Sequence, residues 1–120
     1  MEHRGKSIRP FIGAKNYETS RSFYRDLGFE ESVLDARMSY FKTEGIGFYL
    51  QDAYVRDWVD NTMVFMEVDD VSRYWDELQA LNLASKYDGV RLTPIRQYDW
   101  GSECFLHDPS GILWHFGEFK

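Results

Sequence analysis

The run Trp100-Gly101-Ser102-Glu103-Cys104-Phe105-Leu106-His107-Asp108-Pro109-Ser110-Gly111-Ile112-Leu113-Trp114-His115-Phe116 decides the fold. At its middle, Asp108-Pro109-Ser110-Gly111 is a turn, because proline holds φ at about −65° and glycine accepts a positive φ or a close neighbour. The flanking stretches are apolar enough to be strands, so the segment predicts a hairpin. On the outgoing strand, alternation puts Leu113, His115 and Gly117 on one face and Trp114 and Phe116 on the other. A lone histidine stands there among apolar neighbours.

Ahead of this hairpin, Thr62 to Val68 reads as a strand, Val71 to Leu81 as a helix and Val90 to Gln97 as a strand. The first half of the chain has the same order. Ser7 to Ala14 reads as a strand with Pro10 near its start, where a missing N–H costs least. Asn16 to Ser20 opens a helix that places Phe23, Tyr24 and Leu27 on one face, and Gly28 stops it. Phe29 to Asp35, Met38 to Thr43 and Ile46 to Gln51 are three short strands. Asp52 to Asn61 reads as a connecting loop exposing Tyr54 and Trp58.

Each half is therefore β-α-β-β-β. Superposing Asn16 on Asp70 also brings Arg9 over Met63, Tyr24 over Leu78 and Leu27 over Leu81. Residue likeness is slight, but an internal duplication keeps element order. The expected architecture is α+β: one domain over 1–120, with βαβββ modules at about 7–51 and 62–119 joined by the linker 52–61.

Composition narrows the function. The 120 residues carry a net charge of −6 without clustered lysine or arginine, which argues against nucleic acid as a partner. Aromatics make up 18% of the chain, more flat side chains than so small a core needs, and some are expected to line a pocket or interface. Cys104 is the only cysteine, so no intrachain disulfide forms. No apolar run approaches the roughly 20 residues of a membrane span, and Met1 to Lys6 lacks the apolar core of a signal peptide. No membrane association is expected, and a cytoplasmic protein is.

Several motifs together resemble the vicinal-oxygen-chelate superfamily of glyoxalases, extradiol dioxygenases and bleomycin resistance proteins. They are Arg9-Pro10 before the first strand, Ser20 with Phe23-Tyr24, Leu27-Gly28-Phe29, Trp100-Gly101, the Asp108–Gly111 turn and the inward His115. The resemblance implies that each module curls a mixed sheet with its helix on the convex side, leaving the concave side for a ligand. It also implies metal-ligand positions, which here hold Arg9, either Tyr49 or Gln51, Met63, and His115.

Ligand chemistry argues against a metal. Arginine is cationic, a thioether is a poor donor to Fe(II), Zn(II), Ni(II) or Mn(II), and Tyr or Gln is a marginal one. Only His115 is suited, whereas a catalytic divalent site takes about three good protein ligands. His3 precedes the first strand, and His107 adjoins the turn on a different strand. No metal and no cofactor are expected.

Metal-free members similar to this chain are the bleomycin resistance proteins, dimers that sequester a bulky cationic aromatic glycopeptide in a groove between subunits. The resemblance thus implies a homodimer that binds a small molecule without chemistry. Trp100, Tyr49, Phe65 and Trp58 are candidates to stack on flat rings, and Glu67 and Glu103 to meet cationic groups. Arg9, Gln51, Met63 and His115 join them by position.

Plainer readings stand beside these. Phe65 and Met63 read as core, Glu67 as a solvated edge residue, Trp58 as packed on a partner subunit, and His115 as an imidazole satisfied by a neighbour. A lyase, isomerase or dioxygenase is the alternative function, with a metal or with His115 paired to Glu67 or Glu103 as an acid–base couple. A third possibility is an interaction module whose cup is filled by its own aromatics.

Overall fold

The computed structural model describes residues 1–120. In order the elements are β1 (Phe11–Gly13), α1 (Tyr17–Asp26), β2 (Glu30–Asp35), β3 (Met38–Thr43), β4 (Ile46–Gln51), α2 (Arg56–Val59), β5 (Met63–Glu67), α3 (Val71–Ala80), α4 (Leu83–Lys86), β6 (Arg91–Gln97), β7 (Gly101–His107) and β8 (Leu113–Phe119). They form two four-stranded sheets, ordered β1-β4-β3-β2 and β5-β8-β7-β6. In each, the first strand pairs in parallel with the last, and the other pairs are antiparallel. No helix is long and apolar enough to cross a membrane.

Local chemistry repeats along with the topology. Asn16 Oδ1 accepts from the Thr19 N–H at 3.1 Å to cap α1, and Asp70 Oδ1 accepts from the Arg73 N–H at 3.0 Å to cap α3. Such a cap satisfies an N–H that the helix itself cannot. Leu27 and Leu81 are the matching C-caps, and Tyr24 and Leu78 are both buried. Gly28, at φ +109°, turns the chain out of α1 where a side chain would be strained. Register settles one open choice: Phe11 pairs with Tyr49 as Phe65 pairs with His115, so Tyr49 is the counterpart of His115.

Two expectations on element bounds are corrected. The first strand starts at Phe11, not Ser7; Pro10 has no N–H to give, only its carbonyl meets the sheet, accepting from Tyr49 N at 2.9 Å, and Ser7 to Pro10 are exposed. The linker is not all loop, since α2 forms within it. There Val59 is fully buried and Trp58 packs on the core rather than being exposed. Between α3 and β6 lies α4, set by Asn82 in the left-handed region at φ 53° and by Leu83, which is buried completely.

The hairpin β7–β8 forms as expected, and its turn is held by a buried carboxylate. Asp108 Oδ1 accepts from Ser110 N at 2.8 Å and Ile112 N at 2.9 Å, while Gly111 takes φ +95°. Its Oδ2 accepts from the Tyr24 hydroxyl at 2.6 Å, and that hydroxyl in turn accepts from Trp114 Nε1 at 2.9 Å. Tyr24 belongs to the first module, Asp108 and Trp114 to the second. Around this chain of bonds the rings of Tyr24, Phe29 and Phe48 meet Trp114. The core faces of both sheets thus join in one apolar interior, which also takes in Cys104.

Candidate functional site

Because one face of each sheet is buried in that interior, the other is left outside. On the first sheet the outer face carries Phe11, Tyr49 and Tyr40: Phe11 stacks on Tyr49 with centroids 4.8 Å apart, and Tyr40 lies 5.3 Å from Tyr49. Arg9 completes it. Its guanidinium sits 4.2 Å above the Tyr40 ring and its Nη1 donates to the Tyr49 hydroxyl at 3.1 Å. Gln51, in register with Gly13, is half-buried at the end of this face. Trp58 lies over Gly13, where a Cβ would meet its ring at 2.7 Å.

The second sheet carries Met63, Phe65 and Glu67 on β5 and Leu113, His115, Gly117 and Phe119 on β8, with Glu103, Phe105 and His107 on β7. Phe65, Trp100 and Phe119 touch one another at 5.4 to 6.0 Å, and Tyr98 stacks on Trp100 at 8°. Met63 is 65% exposed and Phe65 44%, which corrects their reading as core residues. Both point away from the interior because Val64 and Met66 supply the inward positions of β5. Glu67 is exposed on the open edge of β5, and Cys104 faces the core, where burial pushes its thiol up to about 11.

At the floor of this second face, Glu103 Oε1 lies 2.6 Å from His115 Nδ1. Glu103 is 6% exposed, whereas His115 is only half-buried between the Phe65 ring at 6.3 Å and the edge-on Phe105 ring at 5.1 Å. His107 shares the face, with Nδ1 buried and unpartnered; burial and nearby Arg91 both lower its pKa and favour the neutral ring.

The metal-ligand positions do not fit a divalent ion. Arg9 and Tyr49 satisfy each other, Met63 points to solvent, and His115 is paired with Glu103. Nowhere do three His, Cys, Asp or Glu side chains converge. What the arrangement offers instead is stacking surface, a cation at Arg9, and an imidazole–carboxylate pair.

The two aromatic faces stay apart within one chain, since no ring contact joins Phe11, Tyr40 or Tyr49 to the cluster around Phe65. Nor is any of the larger cavities lined by Tyr49, Trp100, Glu103 or His115. The most apolar one, of about 560 Å³, runs along the seam between β4 and β5 over Phe29, Phe48, Val64 and Trp114. It is a cleft between the two sheets that opens beside the second face and shares Phe65 and Glu67 with it.

A sequence model of the Glyoxalase/Bleomycin resistance protein/Dioxygenase superfamily matches residues 8–116. The chain belongs to that superfamily. Among solved structures, it is similar to the bleomycin-binding protein from bleomycin-producing Streptomyces verticillus complexed with copper(II)-bleomycin, at 23% identity and TM-score 0.83 over 99% of this chain and 100% of that one. An antibiotic-binding protein, TnmS3 from Streptomyces sp. CB03234, superposes with TM-score 0.76 at 16% identity over 99% and 100%. Lactoylglutathione lyase from Agrobacterium tumefaciens gives 0.72 at 18% over 96% and 95%. These likenesses are of fold. No curated protein matches the sequence.

Within this superfamily fold, sequence reasoning missed Phe11, Tyr40, Tyr98, Phe105 and Phe119. Alternation from His115 through Gly117 reaches Phe119, and alternation from Tyr49's partner strands reaches Phe11 and Tyr40. Tyr98 had no such signal, because it lies in the turn between β6 and β7.

Proposed function

We propose that the protein is a homodimer that binds a bulky aromatic or cationic small molecule in a groove between subunits, without chemical conversion. One observation carries this reading: a single chain leaves two separate aromatic faces uncovered, one with Arg9 and one with Glu103 and His115. Large exposed apolar patches on a soluble chain mark sites of ligand or partner contact. Pairing the first face of one copy with the second face of another would cover both and enclose a groove between flat side chains. Tyr49, Phe65 and Trp100 would stack on the ligand, Glu67 would meet its cationic groups, Glu103 would act on it through His115, and Arg9, Gln51, Met63 and His115 would line the walls. Trp58 would close one end.

One fold relative is a complex with copper(II)-bleomycin and another is an antibiotic-binding protein, which supports ligand sequestration as the type of function. The donor set, unfit for a metal, supports binding over metal-dependent turnover. Sedimentation combined with calorimetric titration of metal-free bleomycin tests both parts. The expected result is a dimer with submicromolar binding that weakens in His115→Ala and Trp100→Ala. A monomer, or a folded dimer that binds no bleomycin, overturns it for that ligand.

A further inference from the structure

The geometry of the second face points to a chemical requirement on its ligand, and this inference rests on the binding function proposed above. We propose that the Glu103–His115 pair selects a flat aromatic ring bearing a hydrogen-bond donor, an O–H or an N–H, which His115 accepts at Nε2.

An ionised carboxylate only accepts, so the 2.6 Å contact requires the proton on His115 Nδ1. A neutral imidazole has one N–H, and Nε2 is therefore left as a bare lone pair. Nε2 makes no hydrogen bond within the chain, yet it is not sealed: the only buried side-chain polar atom without a partner is Nδ1 of His107. The imidazole stands between Phe65 and Phe105, which limit its rotation. With Glu103 nearly buried behind it, the carboxylate both fixes the tautomer and strengthens the lone pair as an acceptor.

Next to the imidazole is the aromatic cluster of Phe65, Trp100 and Phe119, all exposed, with the Phe65 ring 6.3 Å from it. A ring stacked on Phe65 would lie within reach of the imidazole edge. A hydroxyl or amino group at that edge completes a hydrogen bond, whereas a ketone, ether or carboxylate sets lone pair against lone pair. Discrimination comes from the acceptor that a bound ring would cover and leave unpaired when the donor is missing.

The test uses the full-length protein at about pH 8.5, above the ordinary histidine range. Nitrogen-15 spectra read the His115 tautomer directly. Calorimetry compares 2-naphthol and 2-naphthylamine with 2-methoxynaphthalene and 2-acetylnaphthalene. The expected result is an Nδ1–H tautomer and donor probes binding about tenfold tighter than the others, the equivalent of one hydrogen bond. The naphthol and naphthylamine arms tell O–H from N–H.

Glu103→Gln lets either amide atom face Nδ1, so the ratio falls towards about one; His115→Phe keeps the flat ring and abolishes the ratio as well. An Nε2–H or doubly protonated ring, a wild-type ratio near one, or no binding of any probe overturns the inference. Bleomycin titrated in parallel separates the two claims: bleomycin binding with no donor preference sinks only the selection rule, and donor preference without bleomycin binding sinks only the bleomycin reading.

Discussion

Tyr24→Phe removes a single oxygen from the junction between the modules. That oxygen is fully buried, donates to Asp108 Oδ2 at 2.6 Å and accepts from Trp114 Nε1 at 2.9 Å. Burial and the neighbouring Asp108 carboxylate both push the Tyr24 pKa well up, so the hydroxyl keeps its proton and the direction of donation is set. Without it, an indole N–H and one carboxylate oxygen are stranded in an apolar interior. A lost bond to a charged group costs about 1.5–3 kcal/mol and a neutral one about 1, so the variant is expected to lose about 3 kcal/mol. For a domain of this size that is a fall of roughly 10 °C in Tm. Urea unfolding at one fixed protein concentration measures it. Trp114→Phe alone leaves the bond to Asp108 and is expected to cost about 1 kcal/mol for the lost bond, plus packing. A loss below about 0.5 kcal/mol in Tyr24→Phe would refute the claim that this oxygen ties the modules together.

Glu31 is held by Arg21 Nε at 2.6 Å, Arg25 Nη1 at 2.7 Å and Ser39 Oγ at 2.6 Å. Burial raises its pKa, but these donors win and hold it at about 2. A folded-state value below the unfolded one adds stability at neutral pH that is lost as pH falls from about 4.5 towards about 2. Glu31→Gln is expected to cost about 2–3 kcal/mol at pH 7 and to flatten the acid limb of an unfolding series, and an unchanged acid limb would count against the network. Gly117→Ala would place a methyl against the Phe65 ring. Since that ring is exposed and can move, stability should fall by under about 1 kcal/mol while bleomycin affinity drops severalfold; an equal affinity would remove Phe65 from the groove. Asn16→Ala and Asp70→Ala should each cost about 1 kcal/mol in thermal unfolding, and an effect at only one would break the equivalence of the modules.

Much of the fold was legible because its signals are local. The Asp108–Gly111 turn, the Asn16 and Asp70 caps, the Gly28 stop and the alternation through Trp114, His115 and Phe116 each depend on residues a few positions apart. From these came the two βαβββ modules; the superfamily, and with it the poverty of the metal-ligand positions, entered through the resemblance of several motifs taken together. The errors lay where a long-range contact outweighs local preference. Ser7 to Pro10 fail to extend β1 because only the Pro10 carbonyl finds a partner there, on Tyr49, and α2 forms because Val59 has an interior to enter.

The site required tertiary structure for the same reason. Alternation allowed Met63 and Phe65 to share a face, but it could not tell which face the interior would claim; the packing of Val64 and Met66 settled that. Likewise His115 could be placed on a strand by counting, yet its 2.6 Å partner Glu103 lies across β7–β8, where only the register of two strands decides who meets whom. Sequence by itself determined element order, turn positions and chemical inventory, since these follow from backbone preferences over a few residues. Which side chains stand together on an open face was decided by the sheet pairing and by the burial of the opposite face, which are properties of the whole folded chain.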